Sequence, residues 1–155
     1  MPEHAFDGRR FFATEEDEAR EDSTARLVAA AFGCELRRYA PLCPIDFYAV
    51  RDGALVGHLE LKVRKCASST YATVFLSVRK WLALTLAQTG LGVPSLFVVR
   101  FREDDVTRWI RVSDVDPTQV WIAGDRRSQV PHPTRDIEPL ITVPVDAMTA
   151  LEGVA

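Results

Sequence analysis

Pro44-Ile45-Asp46-Phe47-Tyr48-Ala49-Val50-Arg51-Asp52-Gly53-Ala54-Leu55-Val56-Gly57-His58-Leu59-Glu60-Leu61-Lys62-Val63 holds two apolar alternating runs around an Asp-Gly turn. The period of two predicts strands over Ile45–Val50 and Leu55–Val63. Arg51-Asp52-Gly53-Ala54 between them reads as a hairpin connection. Unpaired charge inside a buried strand costs several kcal/mol or is neutralised, so Asp46, Glu60 and Lys62 call for an explanation. A divalent cation between the two carboxylates is one.

That explanation sets a condition on the register. Regular pairing around a two-residue Asp52-Gly53 turn would place Asp46 opposite Leu59 and send Asp46 and Glu60 to opposite faces. A shared face needs a three- or five-residue loop, or a bulge of the same effect.

Thr14 followed by Glu15-Glu16-Asp17 is a helix start, with acids where the helix dipole favours them. The helix is expected to run to about Phe32 and stop at Gly33, with Ala25, Val28 and Phe32 on its apolar face beside Leu27 and Ala31. Residues 1–13 read as a loosely ordered lead-in, and residues 35–40 as a short strand. After the hairpin, Ser68-Ser69-Thr70 opens a loop or extended stretch to Leu76. Ser77 is expected to cap a helix ending near Gln88 or Thr89, before Gly90 and Gly92, with Leu82, Leu86 and Ala83 as its apolar stripe. Arg79 and Lys80 oppose the dipole of its first turn and point to an anionic neighbour. Ser95–Phe101 reads as a central strand and Thr107–Val112 as another. Residues 113–138 are turn-rich, with Arg126 and Arg127 in an exposed basic loop. Leu140–Val145 could form a last strand, with Asp146 capping a short terminal helix.

Length and composition fit one domain over residues 1–155: 155 residues, 47% apolar and 26% charged. No run is long enough for a membrane span and Met1-Pro2-Glu3-His4 opens no secretory signal, so the expected compartment is the cytoplasm. Cys34, Cys43 and Cys66 form no Cys-x-x-Cys pair, which argues against a zinc ribbon or disulfide scaffold; each is expected to be buried. The net charge of −3 conceals a strong asymmetry. Residues 1–22 carry eight acids against three arginines, whereas residues 61–102 carry no acid and seven bases: Lys62, Arg64, Lys65, Arg79, Lys80, Arg100 and Arg102. Such a sector could bind a polyanion, although Arg100 and Arg102 read more simply as solvated. The chain has sixteen arginines but only three lysines, 62, 65 and 80, which suggests sites wanting a compact ammonium.

Two carboxylates facing the same way repel unless a cation lies between them. Oxygen donors suit magnesium or manganese, an ion that acidifies bound water and neutralises charge on a phosphodiester. In this reading Asp46 and Glu60 hold metal and the backbone carbonyl of Leu61 adds a ligand. Lys62, about 7 Å along the strand from Glu60, attends to water or phosphate.

An acidic helix, a strand with Asp, a strand with Glu-x-Lys and a following basic helix together resemble the PD-(D/E)xK nuclease superfamily. The resemblance spans roughly Thr14 to Phe101, and the superfamily includes Holliday-junction resolvases and small phage nucleases. Ile45 separates Pro44 from Asp46, a departure from the strict motif at a residue that is no ligand. The resemblance implies an α/β, restriction-endonuclease-like fold, a mixed central β-sheet flanked by α-helices. Residues 14–101 would form the motif-bearing core and 102–155 add strands, the basic loop and a short helix. It also implies a metal-assisting acid on the first helix, Glu21 or else Glu18, and assigns the basic residue of the following helix to Lys80.

The expected function is a Mg2+- or Mn2+-dependent nuclease hydrolysing DNA, structure-selective or nonspecific. Arg64, Lys65, Arg79, Lys80, Arg126 and Arg127 are the candidate nucleic-acid contacts. A nucleic-acid-binding or assembly protein that kept the fold without catalysis is the alternative, and nothing in the sequence separates RNA from DNA. A homodimer would present two sites to a duplex or junction, but the sequence carries no clear dimer signature. His58 shares the site face and reads as a hydrogen-bonded neighbour. Tyr48 and Tyr71 could pack or stack on substrate. Trp109 and Trp121 are expected to pack, and His132 to mark a rigid loop.

Overall fold

The computed structural model describes residues 15–123 and 138–152. The lead-in, the Thr14 cap, the loop with Arg126 and Arg127, and His132 lie outside the described residues.

Helix α1 (Glu15–Phe32) leads into an antiparallel meander of β1 (Glu35–Arg38), β2 (Phe47–Arg51) and β3 (Ala54–Arg64). β4 (Thr73–Ser77) and α2 (Val78–Leu91) cross over to β5 (Ser95–Phe101), parallel to β3. β6 (Val106–Arg111) and the two-residue β9 (Thr149–Ala150) complete a six-stranded mixed sheet ordered β1-β2-β3-β5-β6-β9. β5 lies inside this sheet, as its unbroken apolar run predicts.

The hairpin meets its register condition by the less obvious route. Asp52 and Gly53 both have positive φ, 51° and 76°, as a two-residue type I′ turn requires. Arg51 pairs with Ala54 and Val50 with Leu55, but Ala49 then pairs with Gly57, so Val56 is bulged out of the ladder. Beyond the bulge Tyr48 faces His58 and Phe47 faces Leu59; extended one residue past the end of β2, that register sets Asp46 opposite Glu60.

Strand alternation divides the core in two. On one side Ala25 and Val28 of α1 pack with Phe47, Leu59, Leu61 and Val98. On the other, Leu84 of α2 packs with Val74, Leu76, Phe97, Val99 and Phe101. Each fully buried aliphatic side chain contributes about 1.5–3 kcal/mol by leaving water. Glu60 pairs in register with Phe97, which puts it on the α2 side. Ser95 secures α2 to β5: its hydroxyl donates to the Leu84 carbonyl at 2.8 Å, and its N–H donates to Gln88 Oε1 at 3.0 Å.

Several expectations are corrected. A second sheet, β4-β8-β7, forms from β4, β7 (Val120–Ala123) and β8 (Glu138–Pro144). It joins segments distant in sequence, so local patterning gave only partial signals for it. Ser77 sits at the N-cap position of α2 but makes no side-chain cap bond there. The helix runs to Leu91 and ends at Gly92 in the left-handed conformation, φ 67°. Of its expected stripe, Ala83 packs against the core but Leu82 and Leu86 face outward, 48% and 64% exposed, while Leu84 is fully buried. α2 is apolar nearly all round, and Lys80 lies on its inward side. Residues 84 and 87 lie within one helical turn or two on the Lys80 side, whereas 82 and 86 lie across the helix. Trp121 packs on one side only: its ring lies 6.5 Å from that of Phe75, yet the residue is 61% exposed. The three cysteines are free and half-buried rather than buried. The expected terminal helix is one 3-10 turn, Val145–Ala147, with Asp146 inside it, followed by β9.

Candidate active site

Asp46 immediately precedes β2, held by its own carbonyl, which accepts from the Tyr39 N–H at 3.0 Å. Glu60 lies in the middle of β3. Both are buried, each 8% exposed. Lys80, in the first turn of α2, reaches both: Nζ donates to Asp46 Oδ1 at 2.8 Å and to Glu60 Oε2 at 2.7 Å. The anionic neighbour demanded by a base at a helix N-terminus is therefore this acid pair. Asp46 Oδ2 accepts from the Leu61 N–H at 3.3 Å. A strand residue's N–H and C=O point to the same side, so the Leu61 carbonyl also points to the β2 side of β3.

The charges do not balance. Two carboxylates share one ammonium, and burial and the Asp46 charge hold the Glu60 carboxyl well above its ordinary value, with Lys80 only partly offsetting them. Burial alone would lower Lys80, but Glu60 and Asp46 outweigh it and hold the ammonium above its usual range. The donor set is oxygen, as a hard divalent cation prefers, and an ammonium stands in as the cation between the two acids. These residues fit such an ion. Among the described residues, no group of three or more His, Cys, Asp and Glu side chains is gathered for a metal. Magnesium, which keeps several waters, needs no more than one or two protein carboxylates.

Lys62 shares the Glu60 face by alternation, and its Nζ donates to the Phe75 carbonyl of β4 at 3.0 Å. The structure thus brings Asp46, Glu60 and Lys80 into contact and places Lys62 one strand repeat away. Glu21 does not join them. It binds Arg38 of β1 at 2.9 Å, and Arg38 also binds Asp22 at 2.7 Å. Burial raises the Glu21 carboxyl, the Arg38 bond lowers it, and Asp46 and Lys80 still act on it through space. Glu18 and Glu21 line a separate cleft with Val63, Lys65 and Arg102. Arg79 and Lys65 are exposed and Arg64 is half-buried.

His58 is fully buried and hydrogen-bonded: Nε2 lies 2.9 Å from the Tyr39 hydroxyl, and burial lowers its pKa. Tyr39 packs against Tyr48 with ring centroids 4.8 Å apart, so Tyr48 is occupied, whereas Tyr71 is exposed. Trp109 packs edge-on against Phe32 at 5.5 Å. The clamp of Arg38 on Glu21 had no signal in the sequence, because the two are brought together only by docking of α1 on β1.

A mixed sheet with a parallel β3–β5 pair, a crossover helix, and an Asp and a Glu opposed at the hairpin's inner end define a restriction-endonuclease-like protein. The model of the family described as "Phage putative PDDEXK endonuclease" matches residues 7–151. The chain belongs to that family. Among solved structures it is similar to Hjc, a Holliday junction resolvase from the archaeal hyperthermophile Archaeoglobus fulgidus, with a TM-score of 0.53. The match has 14% identity and covers 83% of this chain and 89% of that one, and at this identity the likeness is one of fold. No curated protein matches the chain. Among the described residues no helix is long and apolar enough to cross a membrane.

Proposed function

We propose that the chain is a Mg2+- or Mn2+-dependent endonuclease that hydrolyses DNA phosphodiester bonds at the Asp46–Glu60 pair. One observation carries the reading: two buried carboxylates share a single cation, the Lys80 ammonium, at 2.8 and 2.7 Å. Asp46, Glu60 and the Leu61 carbonyl would hold the ion, which when bound neutralises phosphodiester charge and acidifies water. The chain's own groups do the rest. Lys62 lies beside the pair with a flexible stem and three donor hydrogens, suited to contact the phosphate or orient the attacking water. Arg64, Lys65 and Arg79 offer guanidinium and ammonium groups to the DNA backbone, with Arg126 and Arg127 as further candidates. Membership of an endonuclease family supports internal cleavage. The resolvase-like fold makes branched DNA the first substrate to try, and a homodimer would offer two such sites to a junction.

Plasmid nicking tests the proposal, with four-way-junction and linear DNA as further substrates. Mg2+ should support cleavage and chelator abolish it, and Asp46→Ala and Glu60→Ala should each be inactive while melting cooperatively. Cleavage that survives both substitutions would remove the site. Binding without cleavage of any substrate would favour a silent member of the fold.

A further inference from the structure

The position between Asp46 Oδ1 and Glu60 Oε2 is filled by a charge of the protein's own. A cation bridging these two oxygens and the Lys80 Nζ would need the same space and would repel each other. The lysine side chain is 23% exposed against 10% for each carboxylate, so it is the most exposed member of the trio, and its ammonium rides on a flexible four-carbon stem. Lys80 lies in the first turn of α2, where the helix dipole disfavours a base; only the acid pair repays that placement. The arrangement also keeps two buried carboxylates from facing each other unpaired, the circumstance in which removal of one partner is most destabilising.

We infer that Lys80 is the resident counter-ion of the acid pair, displaced by an incoming divalent cation: the site exchanges cations rather than standing open. The inference rests on the metal reading of Asp46 and Glu60. The lysine keeps the hairpin and α2 together without metal. It lowers the affinity of the pair for the ion, and it is released toward solvent, on the side from which a phosphodiester must approach, when the ion binds.

Two measurements on the full chain test this. Amine labelling read by mass spectrometry resolves Lys62, Lys65 and Lys80, the only lysines. Lys80 should be protected in chelator and become reactive on addition of Mn2+. In titration calorimetry with Mn2+ alone, Lys80→Met should bind about tenfold or more tightly than wild type, within the usual span of coupling between sites. Lys80→Arg, which keeps the charge, should bind no more tightly than wild type, and Asp46→Asn should not bind. Uptake abolished by Asp46→Asn but leaving Lys80 protected, or unchanged in Lys80→Met, would overturn the exchange and leave the metal reading standing. No Asp46-dependent uptake in either wild type or Lys80→Met would overturn both. If Lys80→Met does not fold, the wild-type labelling decides alone.

Discussion

Ala49 pairs with Gly57, although the turn that joins their strands pairs Val50 with Leu55. That slip absorbs Val56 and brings Asp46 opposite Glu60. The pairing on either side of the bulge is regular, so Val56 is surplus to the ladder and not a part of it. Deleting Val56 should leave a continuous hairpin with Asp46 still opposite Glu60, and Mn2+ uptake by calorimetry should persist. Lost uptake in a protein that still melts cooperatively would contradict the register assigned to the site.

Glu60 shares its counter-ion with Asp46, and its carboxyl is raised well above the ordinary 4.5. Such a group contributes fully below the unfolded value, where folded and unfolded chains are both protonated, and its contribution is lost as pH rises through the folded value. In chelator, wild type should therefore lose stability relative to Glu60→Gln as pH rises above 4.5, the Gln variant being the more stable in alkali. Thermal melts across the pH series check it, and parallel curves would show that burial does not strain this carboxylate.

Lys62 donates to the Phe75 carbonyl at 3.0 Å. Lys62→Ala should lower the nicking rate by about 10²–10⁴-fold, the usual range for a group that positions or transfers a proton. Loss of the bond to Phe75 should cost about 1 kcal/mol of stability, the net worth of a hydrogen bond. Single-turnover rates beside melting curves separate the two effects. A rate loss explained by unfolding would remove Lys62 from the chemistry.

Leu84 and Leu86 are two residues apart on α2 and opposite in environment, fully buried and 64% exposed. Leu84→Ala should destabilise by about 2–5 kcal/mol through lost burial and a residual cavity. Leu86→Ala should stay within about 0.5 kcal/mol of wild type, as surface substitutions do. Urea unfolding measures both, and similar losses would mean that the outer face of α2 is covered in solution.

The sequence by itself determined the α1, hairpin and β5 elements, because period-two runs, an Asp-Gly turn and an acid-rich helix start are local signals. It also singled out Asp46, Glu60, Lys62 and Lys80, since charge on apolar strands and bases at a helix N-terminus are anomalies visible without coordinates. Only the tertiary structure decided how these meet. The odd spacing between Asp46 and Glu60 demanded a shift in register but could not place it at Val56 within a two-residue turn. α2 carries apolar residues on most of its circumference, so its pattern pointed to Leu82 and Leu86 as inward, whereas packing turned Leu84 inward. Glu21 was drawn to Arg38 by the docking of α1 on β1, and the small sheet assembled from three separated segments. Long-range pairing and helix roll depend on contacts between residues far apart in sequence, which local patterning does not encode.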